Sequence, residues 1–315
     1  MEDALASPPE PGTLPGMEAE AAIRRLGGTA TRAELRLLVP KRRLRRAVEL
    51  GVVLRPRAGR YLLPEVDTTR ALAHELSAVV SLRSAALSHG WKVKTVPPQP
   101  EVTVPPGRKI SPQTRARASV LTSALEDADV VAGVTGPLRT VVDCARHLPL
   151  DEALAIADSA LRCRDLRPAH LARAAHDVRG PGRPRVLRVL SHASGKAANP
   201  FESVLRAIAL DVPGLDLRPQ VGIALADGTR VVPDLVDSGL GIAVEADSHE
   251  FHTGRGQLTS DCWRYDELVL DDWAVYRFTW DQVMFRPAWV RSVLVRAERR
   301  ARATQELVAL ARAHA

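Results

Sequence analysis

The sequence predicts an α/β multidomain protein: an N-terminal winged helix-turn-helix, a mixed α+β middle region and a C-terminal α/β sheet domain. Three observations predict it. At 315 residues the chain exceeds one ordinary domain and suits two or three, each able to bury a core. Residues 17–63 run as short helical patterns followed by two β runs, the order of a winged helix. From Phe201 onward the patterns alternate helix, three strand-like runs, helix, strand and helix, the order of a sheet covered by helices on both sides. The expected boundaries are a disordered tail over 1–16, the winged helix over 17–66, the middle region over 67–196, the sheet domain over 197–304 and a C-terminal helical tail over 305–315.

The first 16 residues, "MEDALASPPEPGTLPG", are acidic and proline-rich, with neither the basic start nor the apolar stretch of a secretion signal. Three cysteines, Cys144, Cys163 and Cys262, are odd in number, far apart and without metal-ligand spacing, which argues against a disulfide framework or a zinc site. No apolar run approaches the roughly 18 residues that a membrane span requires. The expectation is a cytoplasmic protein with no membrane partner.

The net charge of +7 comes with 39 Arg against 5 Lys, a bias that a GC-rich genome imposes by itself, so the total says little. Its distribution says more. From Thr31 to Arg60 there are ten Lys or Arg and two Glu, so this window alone carries +8.

Within that window the elements have chemical reasons. "MEAEAAIRRLGG" ends on a glycine pair suited to a helix C-cap. Thr31 in "TRAELRLLV" can cap the next helix, with Glu34 at the reciprocal position. In "PKRRLRRAVELG", Pro40 can open a third helix; Leu44, Ala47 and Val48 turn inward while Arg42, Arg43, Arg45 and Arg46 project outward. "VVLRPRAGRYLLP" follows as two β runs bearing Arg57 and Arg60. Those six arginines are the candidate DNA-binding residues, the helix at the major groove and the hairpin beside it on phosphates. A basic but merely solvated three-helix domain is the plainer alternative.

In the middle region, "TRALAHELSAVVSLRSAALSHGW" reads as two helices, "PEVTVP" and "ASVLTSAL" as strands, and "PLRTVVDCARHLPLDEALAIADSALRC" as two amphipathic helices. Two shorter helices are expected in "RPAHLARAAHDV" and "RPRVLRVLSHA". His89, His147, His170 and His176 are scattered without a metal-site pattern and read as structural or surface residues. Together "GGTATRAELRLL", "VVSLRSAALSHGW" and "GVTGPLRTVVDCARHLPLDEALAIADSAL" resemble actinobacterial proteins with an AbiEi-type antitoxin N-terminal region, over roughly residues 20–195. The resemblance implies DNA binding or a toxin-antitoxin setting, with a toxin as possible partner.

After the linker "GKAANP", "FESVLRAIAL" begins a helix carrying Glu202. "LRPQVGI", "TRVVPDLVD" and "GIAVEADSH" make three strand-like runs, and the "DSGLG" turn sets Asp234 and Glu245 across a hairpin. Alternation puts Glu245, Asp247 and His249 on one side. Carboxylates gathered on one sheet edge repel one another and cost desolvation energy unless a cation neutralises them. Mg²⁺ suits such a site, and Mn²⁺ can replace it. The alternative is a structural network in which these acids pair with Arg230, Arg264 or Arg277. Pro233 is awkward in a central strand and suggests an edge or a kink.

"NPFES", "RPQV", "VVPDLV", "AVEADSHEFH", "DCWRYDEL" and "WAVYRFTWDQV", in this order over about residues 198–300, resemble the very-short-patch-repair-like branch of the PD-(D/E)xK nucleases. That resemblance implies a restriction-endonuclease-like fold, with Glu202, Asp234 and Glu245 as metal-site acids and Gln220 nearby. Asp247 stands where the family's lysine is expected, and Ser248 where its glycine is usual. Without lysine, proton handling passes to His252 or His249, His252 being favoured because the branch commonly carries a histidine there. Asp261 and Arg264 lie three apart on one helical face and either support the active edge or form a helix–sheet salt bridge. The function expected is a metal-dependent DNA endonuclease addressed to DNA by its winged helix. The alternative is a non-catalytic DNA-binding regulator or antitoxin on a degenerate nuclease fold, and RNA is a third possible substrate.

Overall fold

The structure, a computed structural model, describes residues 17–26, 28–57, 59–64, 68–70, 72–73, 76–131, 133–247 and 255–314, without side chains at Met17, Thr29, Pro56, Arg57, Arg60, Leu62 and 255–261. The expected tail over 1–16 lies outside them. The protein is a mixed α/β, multidomain chain.

The N-terminal unit runs α1 (Met17–Arg25), β1 (Thr29–Thr31), α2 (Arg32–Leu38), α3 (Lys41–Glu49), β2 (Leu54–Arg57) and β3 (Arg60–Leu62). The chain leaves α1 through Gly28, at φ +86°, whose N–H donates to the Ile23 carbonyl at 2.9 Å. A side chain there would also crowd the packing, since a Cβ would meet Leu87 Cδ2 at 2.5 Å and that leucine would have to shift. The expected capping box is present: Thr31 Oγ1 accepts the Glu34 N–H at 3.2 Å and Glu34 Oε2 accepts the Thr31 N–H at 2.8 Å. Pro40 precedes α3, which buries Leu44 and Ala47. The strands pair antiparallel in the order β1-β3-β2.

In the middle region β4 (Val79–Val80), α4 (Leu82–Ser88), β5 (Glu101–Val104), α5 (Pro112–Arg117), β6 (Ser119–Thr122), β7 (Val130–Val131) and β8 (Val134–Thr135) lead into α6 (Pro137–His147), α7 (Leu150–Arg162), α8 (Pro168–Asp177) and α9 (Arg183–His192). The sheet order is β6-β5-β4-β8-β7. The two-helix reading of "TRALAHELSAVVSLRSAALSHGW" is corrected: β4 interrupts it, a two-residue strand too short to show alternation. One buried apolar cluster runs from Ala19 and Ile23 through Leu35, Leu44 and Trp91 to Val189 and Leu190, so the N-terminal helices and α6–α9 share a core.

The last unit runs α10 (Pro200–Ala209), β9 (Arg218–Pro219), β10 (Ile223–Ala224), β11 (Arg230–Val231), β12 (Leu235–Asp237), β13 (Ile242–Asp247), α11 (Arg255–Leu270), β14 (Ala274–Thr279), α12 (Trp280–Phe285) and α13 (Pro287–Ala313). Its four-stranded sheet has the order β14-β13-β12-β9, with β13 and β14 parallel and the other pairs antiparallel. Leu235, Ile242, Val244 and Phe278 pack on α10, α12 and α13; Val236, Ala243 and Val275 pack on Leu268 of α11 and on the β10–β11 hairpin. Helices therefore cover both faces. "TRVVPDLVD" is two strands rather than one, because Pro233 has no N–H for the ladder and the chain breaks there. The expected tail over 305–315 continues α13 to Ala313. Among the described residues no helix is long and apolar enough to cross a membrane.

Candidate functional site

The Asp237 side chain builds the hairpin that carries the site. Its Oδ1 accepts the N–H groups of Gly239 and Leu240 at 3.0 and 2.9 Å, and its Oδ2 accepts that of Asp216 at 2.7 Å. The resulting register pairs Leu235 with Val244, so Asp234, one residue before β12, comes opposite Glu245. There the Asp234 N–H lies 3.4 Å from Glu245 Oε2, while Asp234 Oδ2 accepts the Ala246 N–H at 2.8 Å. Gln220 holds the remaining oxygens: its Nε2 donates to Asp234 Oδ1 at 3.2 Å and its N–H to the Asp234 carbonyl at 3.0 Å. Gln220 does this at φ +53°, a left-handed conformation that costs a non-glycine residue on the order of 1–3 kcal/mol.

Glu202 is the third residue of α10, whose N-cap is Asn199. A buried network anchors that helix, with Asp158 of α7 accepting from Ser203 Oγ at 2.7 Å and Arg206 Nη2 at 2.5 Å. The Glu202 carboxylate turns onto its own helix start, Oε2 accepting the Ala198 N–H at 2.8 Å and Oε1 the Asn199 Nδ2 at 2.9 Å.

Burial dominates the electrostatics. It pushes Glu245 up to about 8 and Glu202 to about 7, and in both cases the charge of Asp234 adds to the rise. Burial also raises Asp234, against the lowering by the Ala246 N–H, by a hydrogen bond with the Glu245 carboxyl and by Arg264. The charge of Asp234 thus ties Glu202 and Glu245 to itself in one electrostatic group. Glu245 Oε1 is buried without a hydrogen bond among the described residues; Arg264 Nη2 of α11 stands 3.3 Å away.

Asp247 lies two residues further along β13 and is ion-paired with Arg277 Nη2 of β14 at 2.5 Å. Tyr265 lies between the two arginines: Arg277 Cζ is 4.1 Å and Arg264 Cζ 5.1 Å from its ring centroid, and its hydroxyl accepts from Arg264 Nη2 at 3.1 Å. Sequence reasoning missed Tyr265; adjacency to Arg264 in "WRYDEL" was the available signal. Two of the three arginines considered as structural partners thus pair with acids, whereas Arg230 lies against Gly222. His249 and His252 lie outside the described residues, and so does the side chain of Asp261.

As they stand, no three His, Cys, Asp or Glu side chains among the described residues form a ready metal-binding group. The hydrogen bonds explain this, because the Glu202 and Asp234 oxygens are turned onto backbone and amide N–H donors. Glu202 and Glu245, both buried and both raised by the half-buried Asp234, nonetheless form with it a donor set of hard oxygens that a divalent cation would relieve.

In the N-terminal unit Arg42, Arg43, Arg45 and Arg46 are all exposed on α3. Arg43 pairs with Glu18 of α1, and Glu49 takes Arg46 at 3.3 Å and Arg45 at 3.5 Å. Surface pairs of this kind are weak and exchange readily for other anions. The side chains of Arg57 and Arg60 lie outside the described residues.

No family model matches the chain. It is 29% identical over 170 residues to an uncharacterized protein of Mycobacterium tuberculosis, Rv2248 in strain H37Rv and MT2308 in strain CDC 1551. The match takes in 53% of this chain, which spans about 62% of the length of those curated relatives. The crystal structure of the RV2827C protein from the same organism is a distant neighbour, with a TM-score of 0.32 and 14% identity over 65% of this chain and 83% of that one.

Proposed function

We propose that the chain is a metal-dependent DNA endonuclease whose C-terminal unit is restriction-endonuclease-like and whose N-terminal unit is a winged helix-turn-helix that addresses it to DNA. The observation that carries the reading is the electrostatic group of Glu202, Asp234 and Glu245, two buried carboxylates and a half-buried one at one end of a mixed sheet. A structural role alone does not require an aspartate placed where its charge raises two buried glutamates. In this reading those three residues hold Mg²⁺ or Mn²⁺, which when bound supplies charge neutralisation, an activated water and stabilisation of the departing oxygen. Gln220 fixes the orientation of Asp234, and Arg264 and Arg277 present positive charge beside the acids to a nucleic-acid backbone. His252, with His249 as the alternative, is proposed to handle protons where the family's lysine is replaced by Asp247.

One observation favours a second reading, a DNA-binding regulator on a degenerate nuclease fold: Arg277 neutralises Asp247, and Arg264 stands against Glu245. Thermal melting separates the two, because a ligand bound by the folded state alone must stabilise it. Millimolar Mg²⁺ or Mn²⁺ is expected to raise the melting temperature of the wild type and not that of Asp234→Asn. No shift in either protein leaves the regulator standing.

A further inference from the structure

A cleft of about 370 Å³ opens on the N-terminal unit between α3 and the β2–β3 hairpin. Arg32, Lys41, Arg45 and Arg55 line it together with Gly59 and Tyr61, and no carboxylate is among its described lining residues. Of the four cations only Arg45 has an ion pair among the described residues, to Glu49 at 3.5 Å. Gathering like charges around one cavity costs energy that an anion within it recovers.

Arg32 gives the cavity its specific chemistry. It is the first residue of α2, and its backbone N–H donates to the Gly59 carbonyl at 2.8 Å, tying that helix to the hairpin turn. Its Nη1 is buried with no hydrogen-bond partner among the described residues. Folded proteins leave few buried donors unsatisfied, and an orphaned guanidinium N–H lining a cleft calls for an acceptor from outside the chain. Arg55 Cζ lies 5.9 Å from the ring centroid of Tyr61, which steadies a second planar donor at the same cavity. Guanidinium groups match the oxygens of a phosphate in pairs, which an ammonium does not.

We infer that this cleft seats a phosphate group, with Arg32 as the buried donor and Lys41 and Arg55 completing its neutralisation. None of these three is among the residues assigned above to DNA. That the phosphate belongs to a duplex backbone rests on the winged-helix reading; a free phosphorylated small molecule offers the same chemistry.

The test uses the full chain, wild type, Arg32→Gln and Arg55→Gln, with two readouts. Inorganic phosphate at matched ionic strength is expected to raise the melting temperature over chloride in the wild type and not in Arg32→Gln. In chloride, Arg32→Gln is expected to melt no lower than wild type, since the variant loses an unsatisfied donor; a structural arginine predicts a fall. On duplex DNA each variant is expected to bind about tenfold more weakly, with a log–log salt slope shallower by about 0.9, the value for one phosphate no longer neutralised. Arg55→Gln carries the test if Arg32→Gln does not fold. Duplex binding by the wild type with unchanged affinity and slope in both variants, and no phosphate-specific stabilisation, overturns the seat and leaves the duplex reading intact. A wild type that ignores duplex yet is stabilised by phosphate through Arg32 supports the seat for a free phosphorylated molecule and refutes the duplex reading.

Discussion

The Asp234 N–H lies 3.4 Å from Glu245 Oε2, so the two acids face each other across the β12–β13 hairpin while the Asp234 carboxylate is held by the N–H of Ala246. Burial and the charge of Asp234 both raise Glu245, so the two acids cannot both ionise without cost. What relieves them is a proton, a cation or an arginine, and each leaves a different trace in solution.

The proton is read from stability against pH. Glu245 and Glu202 are held at about 8 and about 7, above the ordinary value of about 4.3 for a glutamate. Between these values the folded chain keeps protons that the unfolded chain has released, so stability falls as pH rises from about 4.5 to 8. Each pH unit in that window costs up to about 1.4 kcal/mol per group. The melting temperature is expected to be several degrees lower at pH 8.5 than at pH 5.5, with a flatter profile for Glu245→Gln; equal profiles contradict the assignment.

Arg264 is read by removing it. Arg264→Ala leaves Glu245 buried without its cation, an expected loss of about 1–3 kcal/mol measured by denaturant unfolding at pH 8. The loss shrinks at pH 5, where Glu245 is protonated.

At Gly28, Gly28→Ala puts a Cβ on a residue at φ +86° and 2.5 Å from Leu87, so it is expected to destabilise by roughly 1–3 kcal/mol. Because Leu87 belongs to the core shared by the N-terminal and middle helices, the whole of that core should melt together. Calorimetry that shows the N-terminal unit melting alone contradicts this.

How much of this was legible depends on whether one residue's partners are near in sequence. The capping box of Thr31 and Glu34 and the inward Leu44 and Ala47 follow from spacing within a few residues, and the structure has both, whereas Pro233, read as an edge or a kink in one strand, divides two. The facing of Asp234 and Glu245 was legible too, because a short turn fixes the register. The two-residue strands were not: β4 is decided by its distant partners β5 and β8, and β7 and β8, though they pair locally, are too short to show alternation. Nor was the ion pair of Asp247 with Arg277, which requires β13 and β14 to lie parallel after the intervening helix. Glu202 shows a different limit: the third position of a helix serves a cap as well as it serves a metal, and here the carboxylate is engaged by the cap.

The arginines of α3 are tested by reversing them. Arg42→Glu, Arg43→Glu and Arg46→Glu together are expected to abolish duplex binding, and the wild-type affinity is expected to fall steeply with salt, at a log–log slope of about 0.9 per phosphate neutralised. Unchanged binding in the triple variant removes α3 from the interface.

Incubation of supercoiled plasmid with the full chain, in Mg²⁺ or Mn²⁺ and in chelator, tests the nuclease reading most directly. The wild type is expected to nick or linearise the plasmid with metal and leave it intact with chelator. Asp234→Asn, which keeps the shape of the side chain and removes its charge, is expected to bind the plasmid and leave it supercoiled. Plasmid left intact by the wild type in both metals, or cut equally well by Asp234→Asn, contradicts the account.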